Sequence, residues 1–282
     1  MKIKRILMLA AAVAALASCA KTEAVYTEAD SEIKLAPVTS MVTKAEVLNA
    51  IDGTEYPAAE HFTVIGYWAN EPAGSTFATG STYLDAVDFA KNTSGYWGGY
   101  KNGAAFPYYW PKNGSLTFIA YAPTNIQTIT DVNGNGIQIT GHTVATTPKD
   151  QLDILFSERA YNKQKVDDDT VGNGTTGSQP ENANDPYTGV HLSFKHALSS
   201  ILFNIKTKED YSTASTTITL KKIEVHQAVS QGSFNQNLDD ENGATTTDAD
   251  ATAPAWTFDA TPERADYVVD KTANIKLSTT AY

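Results

Sequence analysis

The run VHLSFKHALSSILFNIK at residues 190–206 is the densest apolar stretch outside the N-terminus, and it constrains the fold more than any other segment. Leu192, Phe194, His196 and Leu198 share one parity, while Ile201, Phe203 and Ile205 share the other. An extended strand places alternate residues on opposite faces, so a switch of parity requires one inserted residue. A bulge at Ser199 and Ser200 would supply it. Leu198, Ile201, Leu202 and Ile205 also fit the spacing of a helical face. Periodicity does not separate the two readings. Polar Asn204 and Lys206 alternate with Phe203 and Ile205, and no helix start signal lies upstream, which favours the strand. The run follows the longest polar stretch of the chain, so it marks the opening of a second domain.

The rest of the chain repeats this short-strand pattern. Residues 62–68 alternate, with Phe62, Val64 and Trp68 facing one way. Residues 116–121 set Leu116, Phe118 and Ala120 against Thr117, Ile119 and Tyr121, and Pro123 stops the run. Residues 126–140 read as a hairpin, because two Asn-Gly pairs at 133–136 tolerate the positive φ of a tight turn. Residues 152–156, 218–226, 256–258, 267–269 and 275–277 are further strand candidates, with a parity slip at Lys221 and Lys222. Ile33, Leu35, Val38 and Val42 bracket Pro37 in a weak first strand. Leu84 and Val87 suggest a two-turn helix over 83–91, the one helical candidate of note. Long amphipathic helices are otherwise hard to find, and Gly, Thr, Asn and aromatic residues are plentiful, so the class is all-β. The expected division is an N-terminal β-sandwich domain at 33–161, a linker at 162–189 and a second β-sandwich domain at 190–282.

Residues 1–18 form a secretory signal. Lys2, Lys4 and Arg5 precede an Ala-rich apolar run at 6–17 that is too short to span a bilayer. The run ends in Leu16-Ala17-Ser18-Cys19, which looks like a lipobox. Cleavage between Ser18 and Cys19 would free a thiol to receive diacylglycerol as a thioether. Cys19 is the only cysteine, so it has no internal disulfide partner. A polar tether at 19–32 would then join an outer-membrane lipid anchor to the folded part.

Charge and motifs exclude several functions. Lys and Arg total 21 against 32 Asp and Glu, a net charge of -11, which argues against nucleic acid as a partner. Asp131, Asn133, Asn135 and Gly136 hold the first four key positions of an EF-hand-like loop, but position twelve is His142, which offers no bidentate carboxylate. The flanks are strands, so the hairpin is the better reading. His191 and His196 lie on opposite faces of an extended strand and do not converge on a metal. His196, inside an apolar run, reads as a core histidine with a satisfied hydrogen bond. No G-x-S-x-G elbow, H-E-x-x-H pair or phosphate-cradling loop is present. No enzyme, cofactor or metal is expected. The aromatic cluster Tyr96, Trp97, Tyr100, Phe106, Tyr108, Tyr109 and Trp110 could stack on sugars if exposed, or fill a core if buried; the neighbouring prolines and strand favour the core.

Four stretches carry a resemblance: HFTVIGYWA at 61–69, YYWPKNGSLTFIAYAP at 108–123, DILFSERA at 153–160 and LSFKHALSSILFNI at 192–205. In this order and spacing the chain resembles the fimbrillin family, the lipoprotein pilins of type V pili and their relatives. The resemblance implies two tandem transthyretin-like sandwiches, exposure on the cell surface as part of a fimbrium, a role in adhesion, and other pilin subunits as partners. It also implies that a protease specific for Arg or Lys cuts near the mature N-terminus, after which the first strand leaves and a strand of the next subunit fills its groove. The matching position is Lys44, with Ala45 after the cut. A family member would continue with more strands beyond Tyr282, so the chain reads as lacking its C-terminal end. The residues also leave open a glycan-binding surface lipoprotein of a polysaccharide-uptake system, which shares the lipobox and the sandwiches, and a host or glycan ligand fits either reading.

Overall fold

A computed structural model describes residues 32–39, 56–70, 81–126, 129–131, 136–163, 189–201, 203–209, 211, 218–236 and 254–276. Their regular structure is strand throughout, apart from one 3₁₀ turn at Pro148–Asp150. In chain order the strands are β1 (Leu35–Thr39), β2 (Phe62–Ala69), β3 (Ser81–Lys91), β4 (Trp97–Lys101), β5 (Ala104–Ala105), β6 (Ser115–Ala122), β7 (Ile129–Asp131), β8 (Ile137–Thr143), β9 (Leu155–Ser157), β10 (Ala160–Lys163), β11 (Val190–His196), β12 (Thr219–Val229), β13 (Gln231–Asn235), β14 (Ala255–Thr257) and β15 (Arg264–Lys276). The chain is all-β and its sheets pack face to face, as expected.

The largest sheet has nine strands in the order β1-β11-β9-β6-β2-β3-β4-β5, with β10 on β6. A bridge between Leu35 and Trp97 joins β1 back to β4, so the sheet rolls up on itself. Its interior holds Ile33, Leu35, Phe62, Val64, Leu84, Phe89, Trp97, Phe118, Leu155, Leu192 and Phe194 in one apolar cluster. Tyr56 joins them, with ring centroids 5.3 Å from Phe62 and 5.2 Å from Trp97, both edge to face. A four-stranded sheet, β14-β13-β8-β7, contributes Ile137, Ile139 and Phe234 to a second cluster with Ile65, Tyr67, Ile119, Tyr121 and Phe156 of the first sheet.

Strands β2 and β6 therefore serve two cores. Along β6, Leu116, Phe118, Ala120 and Ala122 point into the rolled sheet, and Ile119 and Tyr121 point out to the second. Every residue of β6 is buried. The alternation read from the sequence is correct, and both of its faces are inward.

A buried amide links the layers. Gln236 accepts a hydrogen bond from the Ile137 amide through Oε1 (3.1 Å) and donates from Nε2 to the Ser157 carbonyl (2.6 Å). Its side chain thus satisfies a donor of β8 and an acceptor of β9, groups that are costly to leave unpaired in an apolar layer. The expected hairpin is present as β7 paired to β8. Residues 132–135, with Asn133 and Asn135 of the calcium alternative, lie outside the described residues.

Several expectations need correction. Residues 83–91 are strand, not helix. Val64 faces Val87 and Gly66 faces Leu84, so Asp85 and Ala86 together oppose Ile65, and Ala86 takes φ 48. Two residues opposite one make a bulge. The bulge, not a helical turn, brings residues three apart onto one face. The strand over 190–206 ends at His196, with Ile201 70% exposed and Phe203 and Ile205 half-buried. Val190–His196 does not open a separate sheet. It sits inside the nine-stranded one, because Val190, Leu192 and Phe194 fill the same core as Phe62 and Phe118. The candidate at 152–156 is shifted to Leu155–Ser157, while 267–269 and the described part of 275–277, Ile275 and Lys276, fall in the single strand β15, which pairs antiparallel with β12. The ladder is irregular between Leu220 and Lys222, where the parity slips. All described residues belong to one compact unit, Glu32–Tyr282.

The second cluster gives a direct test. Phe234→Ala removes a ring that is 3% exposed and is expected to cost about 3–5 kcal/mol in urea unfolding. Ile201→Ala, at an exposed site, is expected to change stability by no more than about 0.5 kcal/mol.

Candidate functional site

The first strand is the least embedded member of the rolled sheet. β1 pairs in parallel with β11 from Leu35↔Val190 to Thr39↔Phe194. On its other side it has one bridge, Leu35↔Trp97. Pro37 lies in this strand opposite Leu192. A proline has no amide hydrogen to give a second neighbour, which suits a strand paired along one side. Ile33 and Leu35 nevertheless sit in the core at 0% and 1% exposure. The strand is thus deeply filled but lightly laced.

Its start is held by the aromatic segment. The Ile33 amide donates to the Tyr108 carbonyl (2.7 Å), and Glu32 bridges Tyr109. The Tyr96 hydroxyl donates to Glu32 Oε2 at 2.8 Å, and Lys34 Nζ lies 4.8 Å from the Tyr96 ring centroid. Burial pushes the Tyr96 hydroxyl above its ordinary value, and the hydrogen bond and negative charge of Glu32 push it the same way. The Val190 amide donates to the Lys34 carbonyl at 2.9 Å. Gly189, just before it, has φ +145, and a Cβ there would stand 2.6 Å from the Lys34 carbonyl carbon. Only glycine allows β1 and β11 to meet this closely.

The aromatic stretch is therefore divided. Trp97 and Trp110 are buried and Tyr108 packs on the core, as the core reading requires. Phe106 and Tyr109 are exposed. Sequence reasoning took Glu32 for the end of a tether and gave Tyr56 and Gly189 no role. Glu32 and Gly189 act on partners far along the chain, so no local pattern marks them. His196 does hold a hydrogen bond, with Nδ1 2.7 Å from Asp153 Oδ1, and both side chains are mostly buried. Among the described residues no group of three or more His, Cys, Asp or Glu could hold a metal ion. Ser18 and Cys19 of the lipobox, and Lys44 and Ala45 of the processing site, lie outside the described residues.

A family model described as fimbrillin-like matches residues 43–280. The chain belongs to the fimbrillin-like family. Proteins of this family are of the pilin and adhesin type and are found at the cell surface. A comparison of this fimbrillin-like chain with curated proteins finds no match. Among solved structures it is similar to a candidate cell adhesion protein from Bacteroides ovatus, with a TM-score of 0.44 and 15% identity, covering 89% of this chain and 76% of that one.

Two variants probe the attachment of β1. Gly189→Ala is expected to destabilise the fold by at least about 1 kcal/mol in thermal or urea unfolding, through clash and backbone strain. Glu32→Gln combined with Tyr96→Phe removes the hydroxyl contact without emptying the core. In hydrogen exchange it is expected to raise the exchange rate of the Ile33 and Val190 amides while those of β6 stay unchanged.

Proposed function

We propose that this fimbrillin-like chain is a lipid-anchored pilin-type subunit, exported to the outer membrane and polymerised by exchange of its first strand. The observation that carries the reading is β1 itself: Ile33 and Leu35 fill the core, yet the strand has a continuous ladder on one side and a single bridge on the other. Loss of β1 would uncover the edge of β11 opposite it and the apolar cluster around Trp97, Leu192 and Phe194. An open edge beside apolar pockets is a receptor for an added strand. The incoming strand needs apolar residues two apart, at the spacing of Ile33 and Leu35.

Lys44 is the proposed processing site, followed by Ala45. It comes after the end of β1 and before Tyr56 in the sequence. Cys19, the proposed lipid attachment, lies on the other side of β1. A cut after Lys44 would therefore leave the lipid joined to β1 and separate both from the rest of the chain. Once β1 departs, the subunit body leaves the membrane. One event both frees the subunit and opens its groove to another pilin subunit. The division into parts at 33–161 and 190–282, with a linker between, stays an expectation of the sequence, and β11 of the later part pairs with β1 and β9 of the earlier one.

Cys19→Ser is expected to abolish labelling by a fatty-acid probe, since serine forms no thioether. Digestion with trypsin or an Arg/Lys-specific protease is expected to cut first after Lys44, and Lys44→Ala is expected to block both that cut and filament formation seen by electron microscopy. Filaments from the Lys44→Ala chain at the wild-type yield would eliminate strand exchange by this route.

A further inference from the structure

A shallow depression of about 290 Å³ lies where the end of β2 and the start of β3 meet the turn before β6. Trp68, Ser81, Tyr83, Pro111, Lys112 and Asn113 line it. Both of its aromatic side chains are fixed by their polar edges. Trp68 Nε1 donates to the Asn113 carbonyl at 2.7 Å, and the Tyr83 hydroxyl donates to the Tyr109 carbonyl at 2.7 Å. Gly114 holds φ +80 with no room for a side chain: a Cβ would stand 2.7 Å from Trp68 Nε1 and 2.2 Å from the Ala69 carbonyl oxygen. The turn is thereby pressed onto the indole. What remains for a ligand is ring surface rather than polar ring edges, and Tyr83 is 41% exposed.

The polar lining is of one kind. Ser81, Lys112 and Asn113 are exposed and offer a hydroxyl, an ammonium and an amide. Among the described residues that line the depression there is no carboxylate. Among the described residues Lys112 has no acidic partner, although the chain carries a net charge of -11.

From this arrangement we propose a binding site for a pyranose sugar that bears a carboxylate, such as a uronate or sialate unit of a surface glycan. The C–H face of the sugar ring stacks on the Tyr83 and Trp68 rings. Ser81 and Asn113 pair with its hydroxyls, and Lys112 pairs with its carboxylate. Preformed, rigid aromatic surfaces with a few convergent polar groups are what a small-ligand site requires. The site assigns the subunit a recognition role beyond assembly. It uses no part of β1, so it stands apart from strand exchange.

The test uses the intact chain, before any proteolysis. Uronate and sialyl oligosaccharides, with neutral oligosaccharides of equal length, are titrated by calorimetry while tryptophan fluorescence is followed. Saturable binding of at least one acidic sugar is expected, about tenfold tighter than its neutral counterpart. Tyr83→Ala is expected to weaken binding about tenfold while the melting temperature falls by only a few degrees, since one hydrogen bond of a half-exposed ring is lost. Lys112→Gln is expected to bring acidic and neutral sugars to similar affinity. Absence of binding by both acidic sugars, equal affinity for acidic and neutral ones, or binding indifferent to Tyr83→Ala would each overturn the assignment. Failure here leaves filament formation unaffected, and failure of filament formation leaves this binding unaffected.

Discussion

The structure depends on a strand with no outside. β6 is buried along its whole length, with Phe118 in the rolled sheet and Ile119 against the second sheet. An all-inward strand cannot be stable until both layers have formed, because either face alone would expose apolar surface to water. The two layers are therefore coupled through one backbone. β2 repeats the arrangement with Val64 inward and Ile65 outward. Gln236 adds polar linkage to this apolar one, giving β8 an acceptor and β9 a donor from one amide.

Against that rigid centre β1 is an exception. Ile33, Leu35 and Ala36 are as buried as any residue in the core, but the backbone of β1 has one continuous partner. Burial of Ile33 and Leu35 supplies hydrophobic stabilisation of a few kcal/mol, on the order of 1.5–3 for each side chain. The ladder along one side adds comparatively little. In the assembly we propose, such an element would stay in place while the chain is whole and would depart as a unit after a cut at its end, leaving an edge and pockets suited to a strand of matching pattern. The contact of Glu32 with Tyr96 lies at the start of β1, at the opposite end of the strand from Lys44.

The aromatic residues divide by the same geometry. Trp97, Tyr56 and Phe62 fill the roll. Tyr83 stays outside because it alternates with buried Leu84 along β3, while Phe106 and Tyr109 lie in the connection between β5 and β6. The stretch 96–110 by itself supplies both, with Trp97 and Trp110 in the core and Phe106 and Tyr109 on the surface.

By itself the sequence determined what is local. The alternation in Phe62–Ala69 and Ser115–Ala122, and the pairing of β7 with β8 that the two Asn-Gly pairs announce, follow from neighbouring residues alone, so the strands were legible. The ordered motifs of 61–205 also carried the family. Tertiary structure decided what depends on distant partners. The i, i+3 spacing of Leu84 and Val87 looked helical, because a bulge opposite Ile65 imitates a helical step and only the paired strand reveals it. That Val190–His196 joins the sheet of the earlier strands was not legible, because its parallel partner β1 lies far back in the chain and no local signal encodes that pairing. Glu32, Gly189 and Gln236 owe their roles entirely to groups that folding brings beside them.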